Sequence, residues 1–477
     1  MADNKLLIFI IAFLVRAGTF QFFIQHQERY RQPDSMDYHI CALGISLGTG
    51  MHRVDTKEPI FWRTPGYPAY LASFYTLYGI RSTAFNKNDH AQKAALWLQL
   101  FLCSFIPFII FLLAYVLTQS QKISVIAAWI AVLHPGMILA SCFLLTEGLA
   151  MLLFYLFLLF FYRSFSPSNN WSLYIVFAAI TLGCMTWLRP MGEFVAIISS
   201  ALLLCIGQTI WRQKIKNAIL FLSIFFIAIS GWYIRNYNLT GQLFFCPLSG
   251  PYLNAFIAPK ILRDLHGTPL AHCIKSTHEQ AVLAVEQEEK TSIDSRHVIV
   301  KERICNSIAW PIIIAHPFSA AYHWIKEVLK TTFDLYSYQL AAIAANRFQR
   351  DPIEEFLFTK TAACLYAQPM PPWMRIVAWI ELCYAVLIWI GLIIGLLIVI
   401  THSFLQKKKV SFDLKNAQEL WIKTIPLIGG ILFMTGGFGY ARLRLPVEPL
   451  LIILSLQTWH WLFSYISHAR HYRKNQL

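Results

Sequence analysis

Charge is scarce in this sequence. Only 14% of its 477 residues are Asp, Glu, Lys or Arg, while 57% are hydrophobic. A soluble domain carries roughly 25% charged residues. A chain this poor in charge has no water-facing surface to offer, which excludes an ordinary soluble enzyme or binding module and leaves an integral membrane protein. Other absences narrow the reading. The ten cysteines form no CxxC pair, and several sit inside apolar runs, where a thiol behaves as a small hydrophobe. The histidines His39, His52, His266, His272, His278, His297, His316 and His323 show no HExxH or similar spacing. Ligand spacing therefore supports no metal site. Cofactors stay unassigned, with a divalent metal neither called for nor excluded. There is no internal repeat and no low-complexity tract. The first apolar run lacks an A-x-A-like cleavage site and reads as a retained anchor. The basic excess, 40 Lys and Arg against 25 acids, comes without a basic helix or a recognisable nucleic-acid module. Much of it lies in short loops between apolar runs, where it fixes membrane orientation.

Crossing a bilayer takes roughly 20 apolar residues. Ten segments approach that length: 6–24, 94–118, 122–142, 148–163, 172–188, 192–211, 218–234, 376–403, 424–440 and 447–466. The expected fold is thus an all-α polytopic membrane protein with about ten transmembrane helices. Basic connections at Arg212-Gln213-Lys214-Ile215-Lys216, Lys407-Lys408-Lys409 and Arg470 to Lys474 point to the cytoplasm, and Lys5, Lys122 and Arg163 agree. Both termini are then cytoplasmic. The loops at 25–93, 143–147, 189–191, 235–375 and 441–446 face the other side. Three parts follow: an N-terminal transmembrane module, 1–235, whose first outer loop spans 25–93; a small mixed, mostly helical extracytoplasmic domain, 236–375; and C-terminal transmembrane helices, 376–477. Within the second part, an amphipathic stretch near His316–Lys330 is expected to rest on the membrane surface.

This layout gathers the rare charges. Asp34, Asp37 and Arg63 fall in the first outer loop, Glu147 in the second, and Arg189 at the third outer turn. Arg235 follows the seventh span, and Arg442 and Arg444 flank the last outer turn. Only Arg16 and Glu381 stand apart at membrane depth. Blander readings exist for each: Arg189, Arg235 and Arg442 also fit snorkelling anchors at helix ends, and Asp34 and Asp37 also fit solvated loop acids. Arg16 is either a partner for a buried acid or a packing charge. Glu147, inside LLTEGLA, is harder to dismiss, because an acid in so apolar a setting is costly without a partner. Acids and arginines meeting at one water boundary suit lipid-phosphate chemistry. Arginine's planar fork pairs bidentately with phosphate oxygens, and a carboxylate supplies a base.

The pieces in their order resemble the GT-C superfamily of membrane glycosyltransferases. The resemblance is to the group related to dolichyl-phosphate-mannose protein mannosyltransferases and the aminoarabinose transferase of lipid A. It is carried by Asp34-Ser35-x-x-Tyr38, Leu47-Gly48-Thr49-Gly50, Arg63-Thr64-Pro65-Gly66-Tyr67-Pro68, Thr146-Glu147, Leu188-Arg189-Pro190, Arg235-Asn236-Tyr237 with Gly241, and Arg442-Leu443-Arg444-Leu445-Pro446. It implies a bacterial inner-membrane enzyme that transfers a hexosyl or pentosyl group, with inversion, from a polyprenyl-phosphate-linked donor. The acceptor would be a glycolipid, glycan or protein at the outer face. It implies Asp34 as the base, with Asp37 and Glu147 as its acidic companions. Arg63, Tyr67, Arg189, Arg235, Arg442 and Arg444 would bind substrate or phosphate. One departure stands out: Trp62 occupies the place before Arg63 where the aminoarabinose transferase has a metal-binding glutamate, so metal dependence is not carried over. Two other readings remain. One is an O-antigen ligase or polymerase, which lacks this first-loop pair of motifs; the other is a lipid or solute transporter, which would gather its charges near the midplane.

Overall fold

Apolar runs broken by proline, glycine and short polar turns fold almost throughout as helices. The computed structural model describes residues 2–54, 57–85, 89–165, 170–206, 210–247, 249–291, 297–337, 372–404, 412–435 and 439–474. No strand occurs among these residues, and the one extended pairing is an isolated bridge between His52 and Pro59. The chain is an all-α integral membrane protein.

Among the described residues six helices are long and apolar enough to cross a bilayer: Leu6–Ile24, Asp89–Thr118, Trp171–Leu188, Trp211–Thr240, Arg375–Thr401 and Ala441–Ser467. Two bent pairs raise the count to eight at most: Gln121–Leu133 with Pro135–Cys142, and Val300–Ala315 with Pro317–Phe333. The ten apolar segments of the sequence thus correspond to six to eight candidate spans among the described residues. The run at 192–211 gives the 14-residue helix Gly192–Cys205, about 21 Å long at 1.5 Å per residue. The run at 148–163 gives the 17-residue helix Glu147–Arg163. The run at 424–440 belongs to Phe412–Thr435, whose first half carries Asp413, Lys415, Glu419 and Lys423. The expected cytoplasmic signal Lys407-Lys408-Lys409 lies outside the described residues, as does 338–371 of the expected second domain.

The first bent pair breaks where a proline belongs. Pro135 has no N–H to give to the preceding turn, and the chain swings by 49°. His134 caps the restart, its Nδ1 accepting from Met137 N at 3.3 Å. In the second pair the turn is 105°. Its outer arm, Pro317–Phe333, leaves Phe318 (90% exposed), Tyr322, Ile325 and Leu329 outward at one-face helical spacing. Its opposite face buries His323 against Asp264 and Glu327 against Lys260. The helix is amphipathic, as expected for His316–Lys330. The described part of 249–337 is otherwise entirely helical, so the expected mixed character is not found among the described residues.

The two mid-membrane charges resolve differently. Glu381 accepts from Tyr336 N at 2.6 Å and Ser337 N at 2.7 Å, so it anchors the turn after Pro317–Phe333. Arg16 meets Ser141 Oγ and Ala12 O and is a packing charge: among the described residues no acid pairs with it. Arg444, expected at the phosphate, is buried in this same region. Its Nε donates to Glu448 Oε1 at 2.9 Å, and its Nη1 donates to the carbonyls of Thr331, Thr332 and Asp334. It closes the C-terminal end of Pro317–Phe333, where helix carbonyls lack intrahelical donors. Breaking one half of a buried ion pair costs roughly 3–5 kcal/mol. Arg444→Met is therefore expected to lower the melting midpoint in detergent well below that of the parent; an unchanged melt removes this structural role.

Candidate active site

Four turns widely separated in sequence are drawn to one end of the helical bundle by side chains that bond to backbone. Ser35 Oγ takes Gln32 N and donates to Leu144 O at 2.8 Å, and Leu144 N returns a bond to Tyr30 O. This pair of bonds fastens the first loop to the segment leading into Glu147. Thr64 Oγ1 donates to Leu188 O at 2.8 Å, which sets Arg63 beside Arg189. Tyr155 Oη donates to Leu445 O at 2.5 Å, which holds the turn carrying Arg442 against the helix Glu147–Arg163. Two glycines permit the approach. A Cβ on Gly66 would lie 2.6 Å from Trp187 O, and one on Gly148 would lie 2.8 Å from Ala140 O.

The charges so gathered alternate in sign. Arg63 donates through Nε and Nη2 to Asp37 Oδ2 at 3.0 and 2.8 Å, and the same Nη2 donates to Asp34 Oδ1 at 2.8 Å. The other oxygen of Asp34 lies 3.9 Å from Arg442 Nη2. Arg442 Nη1 is 3.7 Å from Glu147 Oε1, and Arg189 Nη1 is 3.5 Å from that same oxygen. Three carboxylates and three guanidinium groups thus run Asp37, Arg63, Asp34, Arg442, Glu147, Arg189, with no net charge. Glu147 is the deep member, its side chain 7% exposed against 38% for Asp34. It opens its helix, where the positive end of the macrodipole favours an anion. Asp34 stands at the N-cap of Ser35–Ser46 without capping it by side chain, so its carboxylate is turned wholly to the arginines. Burial pushes the Asp34 carboxyl up, but Arg63, then Arg442, the Arg63 hydrogen bond and Arg189 together hold it below the ordinary carboxylate range.

Beside Glu147 and Arg189 a small cleft opens between helices, lined by Met151, Phe154, Met185, Met191 and Leu445. Flexible thioethers and an aromatic ring make this an adaptable apolar floor. Tyr38 completes the site from the side: its ring lies 5.1 Å from the Arg63 guanidinium and edge-on to Tyr67 at 5.2 Å.

Six of the nine residues singled out from sequence pair directly in the series: Asp34, Asp37, Arg63, Glu147, Arg189 and Arg442. The remaining three do not reach the pocket. Tyr67 is fully buried and donates to Gln99 Oε1, while Gln99 Nε2 holds Phe143 O at 2.9 Å; it stands behind the site. Arg235 donates to Ile60 O and Met51 O and is flanked by the rings of Phe61 and Trp232, so it clamps the first loop to the end of its helix. Arg444 is the buried closure described above. Among the described residues no three His, Cys, Asp or Glu side chains gather to hold a metal ion. What sequence reasoning missed is the set of ties. Their signal was present: Ser35 follows Asp34 and Thr64 follows Arg63, a hydrogen-bonding side chain next to each charge.

The close approaches yield a test. Gly66→Ala and Gly148→Ala should each lower the melting midpoint and the yield of folded protein, since backbone cannot retreat by the needed several tenths of an ångström without strain. Gly18→Ala, where a Cβ would meet nothing within 4 Å, should leave both unchanged. Equal melts for all three variants would show that these turns are not tightly packed.

No protein-family model and no curated protein sequence matches the chain. Solved structures do. An archaeal oligosaccharyltransferase, AglB from Archaeoglobus fulgidus in complex with an inhibitory peptide and a dolichol-phosphate, superposes with a TM-score of 0.51 at 12% identity over 99% of this chain. The apo form of the Archaeoglobus fulgidus oligosaccharyltransferase gives 0.51 at 13% identity. In both the chain spans only 52% of the larger protein. ArnT from Cupriavidus metallidurans in the apo state matches over 94% of this chain and 77% of its own length at 13% identity, with a TM-score of 0.36. The chain shares the fold of the membrane part of these oligosaccharyltransferase structures.

Proposed function

We propose that the protein is a glycosyltransferase that moves a sugar, with inversion, from a polyprenyl-phosphate-linked donor to an acceptor at the outer face of the membrane. The observation that carries this reading is the alternating series of three acids and three arginines set beside an apolar cleft. An archaeal protein of the same fold has been captured with a dolichol-phosphate, a lipid of the class this pocket suits. The prenyl chain would lie on the floor of Met151, Phe154, Met185 and Met191. The phosphate would sit at the rim, where Arg189 and Arg442 offer forked donors.

The chemistry follows from those positions. The acceptor oxygen attacks the anomeric carbon, the carbon–oxygen bond to phosphate breaks, and its electron pair goes to the phosphate. The acceptor proton goes to Asp34, the acid in the series that is both open to solvent, at 38%, and shared by two arginines. A positioned base contributes typically 10²–10⁴-fold, and arginines aimed at the growing phosphate charge act as preorganised electrostatics. Attack opposite the departing phosphate inverts the sugar carbon, as in glycoside chemistry with carboxylates on two faces. Asp37 and Glu147 hold the far ends of Arg63, Arg442 and Arg189, and so fix where the cations point. A transporter would place broken helices and charge around the midplane; here the six charges sit on turns and helix ends at one end of the bundle, which favours the enzyme.

In this reading that end faces the extracytoplasmic side, with both termini in the cytoplasm of a bacterial inner membrane, an orientation that the basic connections support. A cysteine at Gln242 should then react with an impermeant maleimide in intact cells, and one at Lys122 should react only after lysis, in a background lacking the exposed native thiols of Cys184, Cys205 and Cys383. The reverse pattern would put the pocket on the wrong side. For the reaction, Asp34→Asn should leave the melt intact and cut transfer from labelled donor lipid by at least about 100-fold; full turnover would remove the base role. Arg442→Ala should raise KM for the donor by more than KM for the acceptor, whereas equal losses would indicate misfolding.

A further inference from the structure

Asp34 does not hold its arginines alone, and they do not hold it alone. Its Oδ1 takes Arg63 Nη2, which is equally close, at 2.8 Å, to Asp37 Oδ2. Its Oδ2 faces Arg442 Nη2 at 3.9 Å. Each of these arginines is anchored at a second point: Arg63 by Nε on Asp37 at 3.0 Å, and Arg442 by Nη1 toward Glu147 at 3.7 Å. Each cation thus has a held atom and one Nη2 shared with Asp34. Among the described residues the charges of the pocket balance, three carboxylates against three guanidinium groups, so an incoming phosphate adds a negative charge that must draw on arginines already paired.

Resting on the glycosyl-transfer reading, we propose that Asp34 and the donor phosphate compete for Arg63 and Arg442, and that proton transfer to Asp34 hands these two cations to the leaving phosphate. The donor is a phosphodiester with one negative charge, and the departing prenyl phosphate is a monoester that gains a second. The acceptor proton that neutralises Asp34 removes one negative charge from its carboxylate as one appears on phosphate. Total charge in the pocket is unchanged; the anion has moved from aspartate to phosphate, and the two Nη2 groups follow it. Asp37 and Glu147 remain ionised and keep the guanidinium groups in place while their free ends turn. The interaction with phosphate is then stronger during bond breaking than before it, which is the condition for an interaction to accelerate a reaction and not merely bind substrate. Release runs the exchange backwards: once Asp34 loses its proton, its carboxylate competes again for Nη2 of both arginines and displaces the product.

The groups that face Asp34 are Arg63 and Asp37 from the first loop, Tyr38 one turn along its own helix, Arg189 and Arg442 from two other turns, and Glu147 through Arg442. A neutral isostere at position 34 mimics the protonated state. At pH 8, where a prenyl phosphate is a dianion, Asp34→Asn should therefore bind farnesyl phosphate about tenfold more tightly than the parent protein, although it is inactive in transfer. Neutral farnesol should bind both alike. Equal or weaker binding of farnesyl phosphate by Asp34→Asn, with an unchanged melt, overturns the exchange. A second neutral variant, Asp34→Ser, should tighten farnesyl phosphate in the same direction while leaving farnesol unchanged. No tightening in either variant, with parent-like melts, also overturns it. Failure of the parent protein to prefer farnesyl phosphate over farnesol is a separate result, which removes the polyprenyl-phosphate donor and this exchange with it.

Discussion

A charge beside a bilayer must be paired, because the medium around it does little to solvate it. That constraint organises this molecule. Of the charges in the apolar modules, six form one series in which every carboxylate touches an arginine and every arginine touches a carboxylate. Its two interior holding points are Arg63 and Glu147: removing Arg63 strands Asp37, and removing Glu147 strands Arg189, whereas the other members leave neighbours that keep a second partner. The helices that carry it are therefore bound to each other by electrostatics at one end and by packing of Phe, Leu and Ala along their lengths. The ties from Ser35, Thr64 and Tyr155 do the finer work of bringing turns close enough for the pairs to form.

Much of this could be read from sequence because charge is so rare here. Asp34, Arg63, Glu147, Arg189 and Arg442 each interrupt or bound an apolar run, and a membrane protein has few uses for such residues. The register of irregular turns was not readable. Arg442 and Arg444 are two residues apart in the stretch Ala441–Val447, which is a 3-10 helix. With three residues per turn, positions i and i+2 point in different directions, so one arginine reaches the pocket and the other turns into the core. Nothing in Arg-Leu-Arg announces which. Arg235 was equally ambiguous, because its carbonyl partners at Met51 and Ile60 belong to a loop 175 or more positions away. Tyr67 sits in the right motif but points inward to Gln99.

Apolar runs and helices do not correspond one to one, for a different reason. Hydropathy over a window registers apolar length and is blind to where a helix ends. The run at 122–142 is one apolar stretch but two helices, because Pro135 breaks it. The run at 192–211 stops being helical at Cys205, before its apolar character ends. Short and broken helices are affordable near the pocket, where neighbouring protein can satisfy the backbone groups they free.

The bond from Tyr155 to Leu445 has a consequence for how the molecule matures. Asp34, Asp37 and Arg63 lie within 30 positions of one another and can pair as soon as the first loop emerges. Glu147 and Arg189 can meet once the third outer turn is built. Backbone ties join these two groups, but among the ion pairs Arg442 alone links them. The series of charges is therefore closed only when the turn Ala441–Val447 is in place.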